Sequence, residues 1–330
     1  MTAFGENIRM LASLPTGILA LTSGYLSLQA ATLSLDREVK LQYDLGNTVV
    51  PKWSNGTLAT FTSNQTPAPL ILQFDGEGRQ IQPLIASIPE AEIVDLRDVS
   101  RGLDGSVAVC GNAYDRSGRA GFFAVFSPTG ERLNVVRLYP YEPSRVAVDS
   151  DGTIWTSGVE FANRDAGSDS TSPTSGVVRH FERGGKPLGA FVPRSRLTSY
   201  VIVYGRLQCG RGRVGWYSGP PNGPGSRYFE ILSDGTVREY PALAIREHEI
   251  VDGLALTDDG RTYVTINDLH TNLRLLSASG PDRGWTVEPL CNQLPEAHLL
   301  YGTDGNRLIF MHRDRFGLGF VKVQHTNPPE

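Results

Sequence analysis

Eight side chains able to hold a charge or a proton sit at or near the starts of short apolar runs: Asp95, Arg97, Asp98, Arg145, Tyr200, Glu249, Asp252 and His298. Three chemistries fit these types. The carboxylates, with neutral oxygens beside them, are the hard ligands a divalent cation wants. Arg97, Arg145 and His298 form a cationic set, and guanidinium pairs with carboxylate in a bidentate fork. In the third reading the charges neutralise one another across a hydrated space. Asp95, Arg97, Arg145, Tyr200, Glu249, Asp252 and His298 are therefore the candidate ligand-binding residues.

Other reactive types are scattered. Asp268 lies two positions before His270, and Asp314 two after His312, a separation at which a carboxylate can orient a general base, although such loop pairs are commonly solvated surface pairs. Cys110, Cys209 and Cys291 fit no zinc spacing and cannot all pair within the chain, so they read as small buried apolar residues. No GxSxG elbow, HExxH pair or Walker-type glycine loop occurs, so the catalytic residues are unassigned.

The elements that would position these groups repeat. A turn followed by an alternating strand appears as WSNGTLATFTS (53–63), GLDGSVAVCGN (102–112), DSDGTIWTSGV (149–159), GRGRVGWYSG (210–219), TDDGRTYVTIN (257–267) and GTDGNRLIFMH (302–312). Asn-Gly and Asp-Gly favour the positive φ of a two-residue hairpin turn. A short apolar run precedes each turn, so every unit opens with a hairpin of strands a and b. In the first five units a second turn follows, at DGEGR (75–79), SPTGER (127–132), ERGGKP (182–187), SDGTVR (233–238) and SGPDRG (279–284), between strands c and d. The period is about 45–50 residues, the signature of a ring of repeats rather than of packed helices. No 3.6-residue stripe persists over three turns.

The sixth unit supplies a strand c at 316–324 and then ends, whereas ATLSLDREVKLQYDL (31–45) carries the alternation of a strand without a hairpin partner. Pairing the two closes the ring and removes its open edges. The expectation is an all-β propeller of six four-stranded blades over residues 31–326, with Trp53, Trp155, Trp216 and Tyr263 filling the wedges between blades. On such a ring the strand-a starts face the central channel. The b–c loops emerge on one face with the candidate residues, and the longest is the polar stretch 161–176.

VAVDSDGTIWTSG (146–158) and LALTDDGRTYVTIN (254–267) resemble six-bladed propellers of the NHL and regucalcin/gluconolactonase type. The resemblance implies a fold that hosts lactonases, lyases, peptide binders and scaffolds alike. It also implies, as the alternative to no cofactor, a divalent metal such as calcium. The Glu, Asn and Asp set of the gluconolactonase-like proteins is not recognisable at matched positions, and no YWTD run or WD dipeptide occurs.

Composition narrows the partners. The net charge of −4 offers nothing to nucleic acid, and 40% hydrophobic content with 36 glycines and 21 prolines suits a turn-rich globular chain. Residues 10–30, after Arg9, read as a secretory signal cleaved after Ala30 or Ala31, too broken by Ser, Thr, Gly and Pro for a membrane span. Were they strands instead, seven blades would be possible. The expected molecule is a secreted or periplasmic monomer that binds a protein or small molecule, or serves as a scaffold. A metal-dependent hydrolase or lactonase is the alternative.

Overall fold

The computed structural model describes residues 31–43, 45, 48–62, 65–160, 176–197, 205–218, 226–268, 273–290, 297–312 and 316–324. These form six four-stranded antiparallel sheets. Blade 1 holds β2 (Thr48–Ser54), β3 (Thr57–Thr62), β4 (Leu70–Phe74) and β5 (Gln80–Ile85). Blade 2 holds β6 (Ile93–Arg101), β7 (Val107–Asp115), β8 (Gly118–Phe126) and β9 (Arg132–Arg137). Blade 3 is β10 (Tyr141–Val148), β11 (Ile154–Glu160), β12 (Gly176–Phe181) and β13 (Pro187–Pro193). Blade 4 is β14 (Arg206–Gly210), β15 (Arg213–Ser218), β16 (Arg227–Leu232) and β17 (Val237–Glu239). Blade 5 is β18 (Glu249–Leu256), β19 (Thr262–Asp268), β20 (Leu273–Ala278) and β21 (Thr286–Glu288).

The last blade joins the two ends of the chain. Its strands β22 (Ala297–Asp304), β23 (Arg307–His312) and β24 (Gly317–Gln324) are completed by β1 (Thr32–Lys40), which pairs with β24 from Thr32 opposite Gln324 to Lys40 opposite Gly317. The expected closure by the N-terminal strand is therefore observed. It is stitched on both sides. The Ala31 amide donates to Glu288 Oε2 of blade 5 at 2.8 Å. Arg37 lies 4.1 Å over the Phe320 ring and pairs with Glu77 of blade 1 at 2.9 Å. Residues 1–30, and with them the expected secretory signal, lie outside the described residues.

The core is divided among the junctions of the ring. Six clusters of buried apolar residues each draw on two neighbouring blades, so one blade alone cannot bury its faces. Trp53 meets Phe320 edge-on at 5.2 Å between blades 1 and 6. Trp155 and Trp216 share the junction of blades 3 and 4, and Tyr263 that of blades 5 and 6. Each fully buried side chain of this size contributes roughly 1.5–3 kcal/mol. Among the described residues the helical pieces are 3-10 turns, at Leu45, Arg194–Arg196 and Pro281–Arg283, and no helix is long and apolar enough to cross a membrane.

The a–b turns follow their sequence. Asn55 and Gly56 take φ of 49° and 75°, the paired positive values of a two-residue hairpin. The a strands depart from plain alternation. The ladder slips between Val49 and Lys52, Leu96 and Asp98, Pro143 and Arg145, Val251 and Gly253, and Ala297 and Leu299. Such bulges bend the strand and re-aim side chains. Two glycines on the facing strands make room for them: a Cβ on Gly111 would stand 2.1 Å from Asp95 O, and one on Gly158 would stand 2.1 Å from Glu142 O.

Candidate functional site

Arg97, Ser144, Asp252 and His298 are the residues skipped at four of these slips. Three of them belong to the candidate set, so the bulges gather sequence-nominated residues on the channel-lining strands of different blades. The side chain of His298 and the whole of Tyr200 lie outside the described residues, as do the b–c stretches 161–175, 219–225, 269–272 and 313–315.

The other candidates divide by partner. Asp95 and Arg97 neutralise each other at 2.6 Å. Glu249 is committed to structure: Arg274 grips it from β20 at 3.0 and 2.5 Å, and the Arg246 amide donates to it at 2.6 Å. Burial opposes ionisation of Glu249, yet these bonds hold its carboxyl below the usual range. Arg145 donates from Nε to Gly205 O at 2.5 Å and from Nη1 to Ser144 O at 2.6 Å. Burial depresses its pKa. Asp252 accepts from Thr265 Oγ1 at 2.6 Å and is also lowered in pKa by the Asn267 side chain, while among the described residues its buried Oδ2 accepts no hydrogen bond of ordinary geometry. Burial pushes this carboxyl up to about 6, against the pull of Thr265 and the Arg206 charge.

Sequence reasoning left three channel residues out of the candidate set. Lys52 Nζ donates to Asp98 Oδ2 at 2.9 Å and to Val146 O at 2.5 Å, and the Val146 amide donates to the same carboxylate oxygen at 2.9 Å. One buried ion pair thus ties blades 1, 2 and 3. Gln208 reaches across the axis from blade 4 to blade 1, where Nε2 donates to Trp53 O at 3.2 Å. Gly302 of blade 6 packs against that bar, since a Cβ there would stand 2.7 Å from Trp53 O and 3.0 Å from Gln208 Nε2. Arg206 lines the channel beside Arg145. Lys52 lies inside the apolar run VVPKW (49–53), Arg206 inside YVIVYGRL (200–207) and Gln208 directly after it, so no local spacing marked them.

The Gln208 bar divides the channel. On the b–c side is an inner cavity of about 20 Å³ bounded by Lys52, Asp98, Arg145, Arg206 and Gln208, with Leu254, Leu300 and Tyr301 among its apolar walls. At the a–b mouth is a vestibule of about 450 Å³ to which all six blades contribute. Trp53, Ala147, Val148 and Leu256 form its apolar surface, and Ser100, Thr303 and Asn55 are among its neutral polar groups. Its charges are Asp149, Asp258 and Asp304 against the single Arg211. Asp304 has Arg307 at 3.4 Å, and Asp149 accepts from Trp155 Nε1 at 3.3 Å. Asp258 and Arg211 are exposed and make no ion pair or side-chain hydrogen bond among the described residues. The turn signals that fold these hairpins also place acids around the mouth, a signal present in the sequence as Asp149, Asp258 and Asp304.

Little here suits covalent chemistry. Cys209 lines the vestibule, but burial holds its thiol well above the usual range, and the same is true of Cys110. Both are free, and Cys291 lies outside the described residues. Among the described residues no group of three His, Cys, Asp or Glu side chains is placed to hold a metal ion.

No family model matches the chain, and no curated protein matches it. Solved structures do. A glucose dehydrogenase superposes with a TM-score of 0.53 at 12% identity, over 89% of this chain and 100% of the other. The likeness is one of fold. A second glucose dehydrogenase gives 0.53 at 11% identity, over 90% and 100%. A lignostilbene dioxygenase from Pseudomonas brassicacearum gives 0.44 at 12%, over 73% of this chain, which spans 63% of that one. The six-bladed propeller is thus supported by its own topology and by distant propeller enzymes, without singling out the NHL or regucalcin type.

Proposed function

We propose that this chain is a binding propeller that takes a small polar ligand into the vestibule at its a–b mouth. The observation that carries the reading is the vestibule: about 450 Å³, floored by the Gln208–Trp53 bar and walled by turns of all six blades. Small-molecule sites span roughly 300–1,000 Å³ and combine apolar walls with a few convergent polar groups. Three carboxylates against one guanidinium favour a ligand that is cationic or rich in hydroxyls. Among the described residues Asp258 makes no ion pair or side-chain hydrogen bond, so it is free to meet such a ligand. Isothermal titration of amines and monosaccharides tests this. Saturable binding weakened about tenfold or more by Asp258→Asn is expected, and binding indifferent to that change counts against the vestibule.

Presentation of the b–c face to a larger partner belongs to the same proposal, because Arg97 and Asp252 lie on that side of the bar. Export is part of it too, and mature protein beginning at Met1 would remove it. The alternative, a metal-dependent hydrolase or lactonase, needs several oxygen or nitrogen donors around one point. Chelation that lowers both thermal stability and an esterase or lactonase activity would favour that alternative.

A further inference from the structure

The inner cavity above the Gln208 bar has an unbalanced set of charges. Lys52 and Asp98 cancel at 2.9 Å. Arg97, which lies beyond them, has Asp95 at 2.6 Å. Among the described residues the hydrogen bonds of Arg145 go to the carbonyl oxygens of Gly205 and Ser144, which carry no net charge. Arg206 makes no side-chain hydrogen bond or ion pair among the described residues. Two guanidiniums on adjacent strands, β10 and β14, therefore border one cavity without a carboxylate salt-bridged to either. Each repels the other; the Asp98 charge offsets this at Arg145, and the Asp252 carboxylate of β18 feels the Arg206 charge, so Lys52, Arg145 and Arg206 are three cations against the two carboxylates Asp98 and Asp252. A buried charge without its counter-charge is costly, and guanidinium is the side chain best shaped to receive a small oxyanion or halide.

Size narrows the occupant. The cavity measures about 20 Å³, and roughly 10–15 Å³ of such space holds one water-sized body. A phosphate or a sugar acid does not fit whole; a monatomic anion or a single carboxylate group does. Asp98 Oδ1 is buried without a partner, which keeps an anion away from the β6 wall and toward β10 and β14.

We propose that Arg145 and Arg206, both half-buried, form a seat for one small monoanion, either a free halide or the carboxylate end of a ligand entering from the b–c side. The seat is separate from the vestibule, because the Gln208 bar lies between them. Its occupant supplies the one negative charge that balances Lys52, Arg145 and Arg206 against Asp98 and Asp252.

The test is thermal unfolding of the full chain in sodium chloride, sodium formate and sodium gluconate at equal ionic strength, gluconate being too large to enter. Chloride or formate should raise the melting temperature saturably by about 2–4 °C over gluconate. Arg206→Gln should abolish that increment whatever its melting temperature in gluconate, since it removes both the repulsion of Arg145 and the attraction of Asp252. Arg206→Lys, which keeps the charge, should retain part of it. A larger increment in formate than in chloride identifies a carboxylate-bearing ligand, and the reverse identifies a free halide. Equal melting in all three salts, or an increment that persists in Arg206→Gln, overturns the proposal. Asp258→Asn should leave the increment unchanged, so failure of the vestibule and failure of this seat are read separately.

Discussion

Gln208 Nε2 and Trp53 O, on opposite blades of the ring, meet at 3.2 Å and close the channel between its two cavities. Gln208 is buried, and its removal leaves the Trp53 carbonyl without this donor and joins the two spaces. Gln208→Ala should lower stability by about 1–3 kcal/mol. Urea denaturation checks this, with an unchanged slope showing that the ring itself is intact.

Lys52 is the hinge of a second cross-blade contact, since its ammonium holds both the Asp98 carboxylate and Val146 O. Both residues are buried. Lys52→Met should cost about 3–5 kcal/mol, because Asp98 is then a buried charge with one amide for company. The double change Lys52→Met with Asp98→Leu should recover much of that loss. A double variant as unstable as the sum of the single ones would mean that packing, and not the pair, is at stake.

Asp252 contributes to the pH dependence of stability with a definite sign. Its folded carboxyl titrates at about 6, above the ordinary 3.8, so the folded chain holds the proton more tightly than the unfolded one. Its contribution is most favourable below about pH 4 and is lost as pH rises through 6. Asp252→Asn, which carries no charge at any pH, should therefore match the natural protein near pH 4 and exceed it by up to about 3 kcal/mol at pH 8. Melting curves across that range decide it; a difference that does not change with pH would refute the assignment. A residue that destabilises its own fold at neutral pH is one of the features that mark a functional position.

Gly158→Ala should be harmful and Gly184→Ala should not. A Cβ at 158 would lie 2.1 Å from Glu142 O and 2.7 Å from Pro143 Cα, whereas one at 184 meets nothing within 4 Å. The expected loss is about 1–3 kcal/mol for the first and within about 0.5 kcal/mol for the second. Parallel denaturation of the two variants gives the comparison.

The ring was legible because its signals are local. Asn55-Gly56 and the Asp-Gly turns specify hairpins within four residues, and the alternation at 31–45 beside an incomplete sixth unit announced the pairing of β1 with β24. The bulges were not legible. One skipped residue at Arg97 or Asp252 leaves the apolar alternation on either side intact, yet it decides which neighbour turns to the channel. For the same reason Asp98 was nominated as one of several channel acids, while its bond to Lys52, from a blade 46 positions earlier, was invisible. Glu249 was read as a channel-facing ligand-binding candidate and not as the partner of Arg274. The vestibule acids Asp149, Asp258 and Asp304 were read only as turn formers, because a turn and a binding rim ask for the same residue types there.

The claim that this propeller binds its ligand at the a–b mouth is tested most directly by charge reversal on the rim. Asp258 is exposed and without a partner among the described residues, so Asp258→Arg should leave the fold intact. Calorimetric titration of putrescine, ethanolamine and a set of monosaccharides into the natural protein and this variant is the measurement. Saturable binding of at least one compound to the natural protein, lost in Asp258→Arg at unchanged melting temperature, is the predicted result. No binding from the whole set, or equal binding by both proteins, would contradict it.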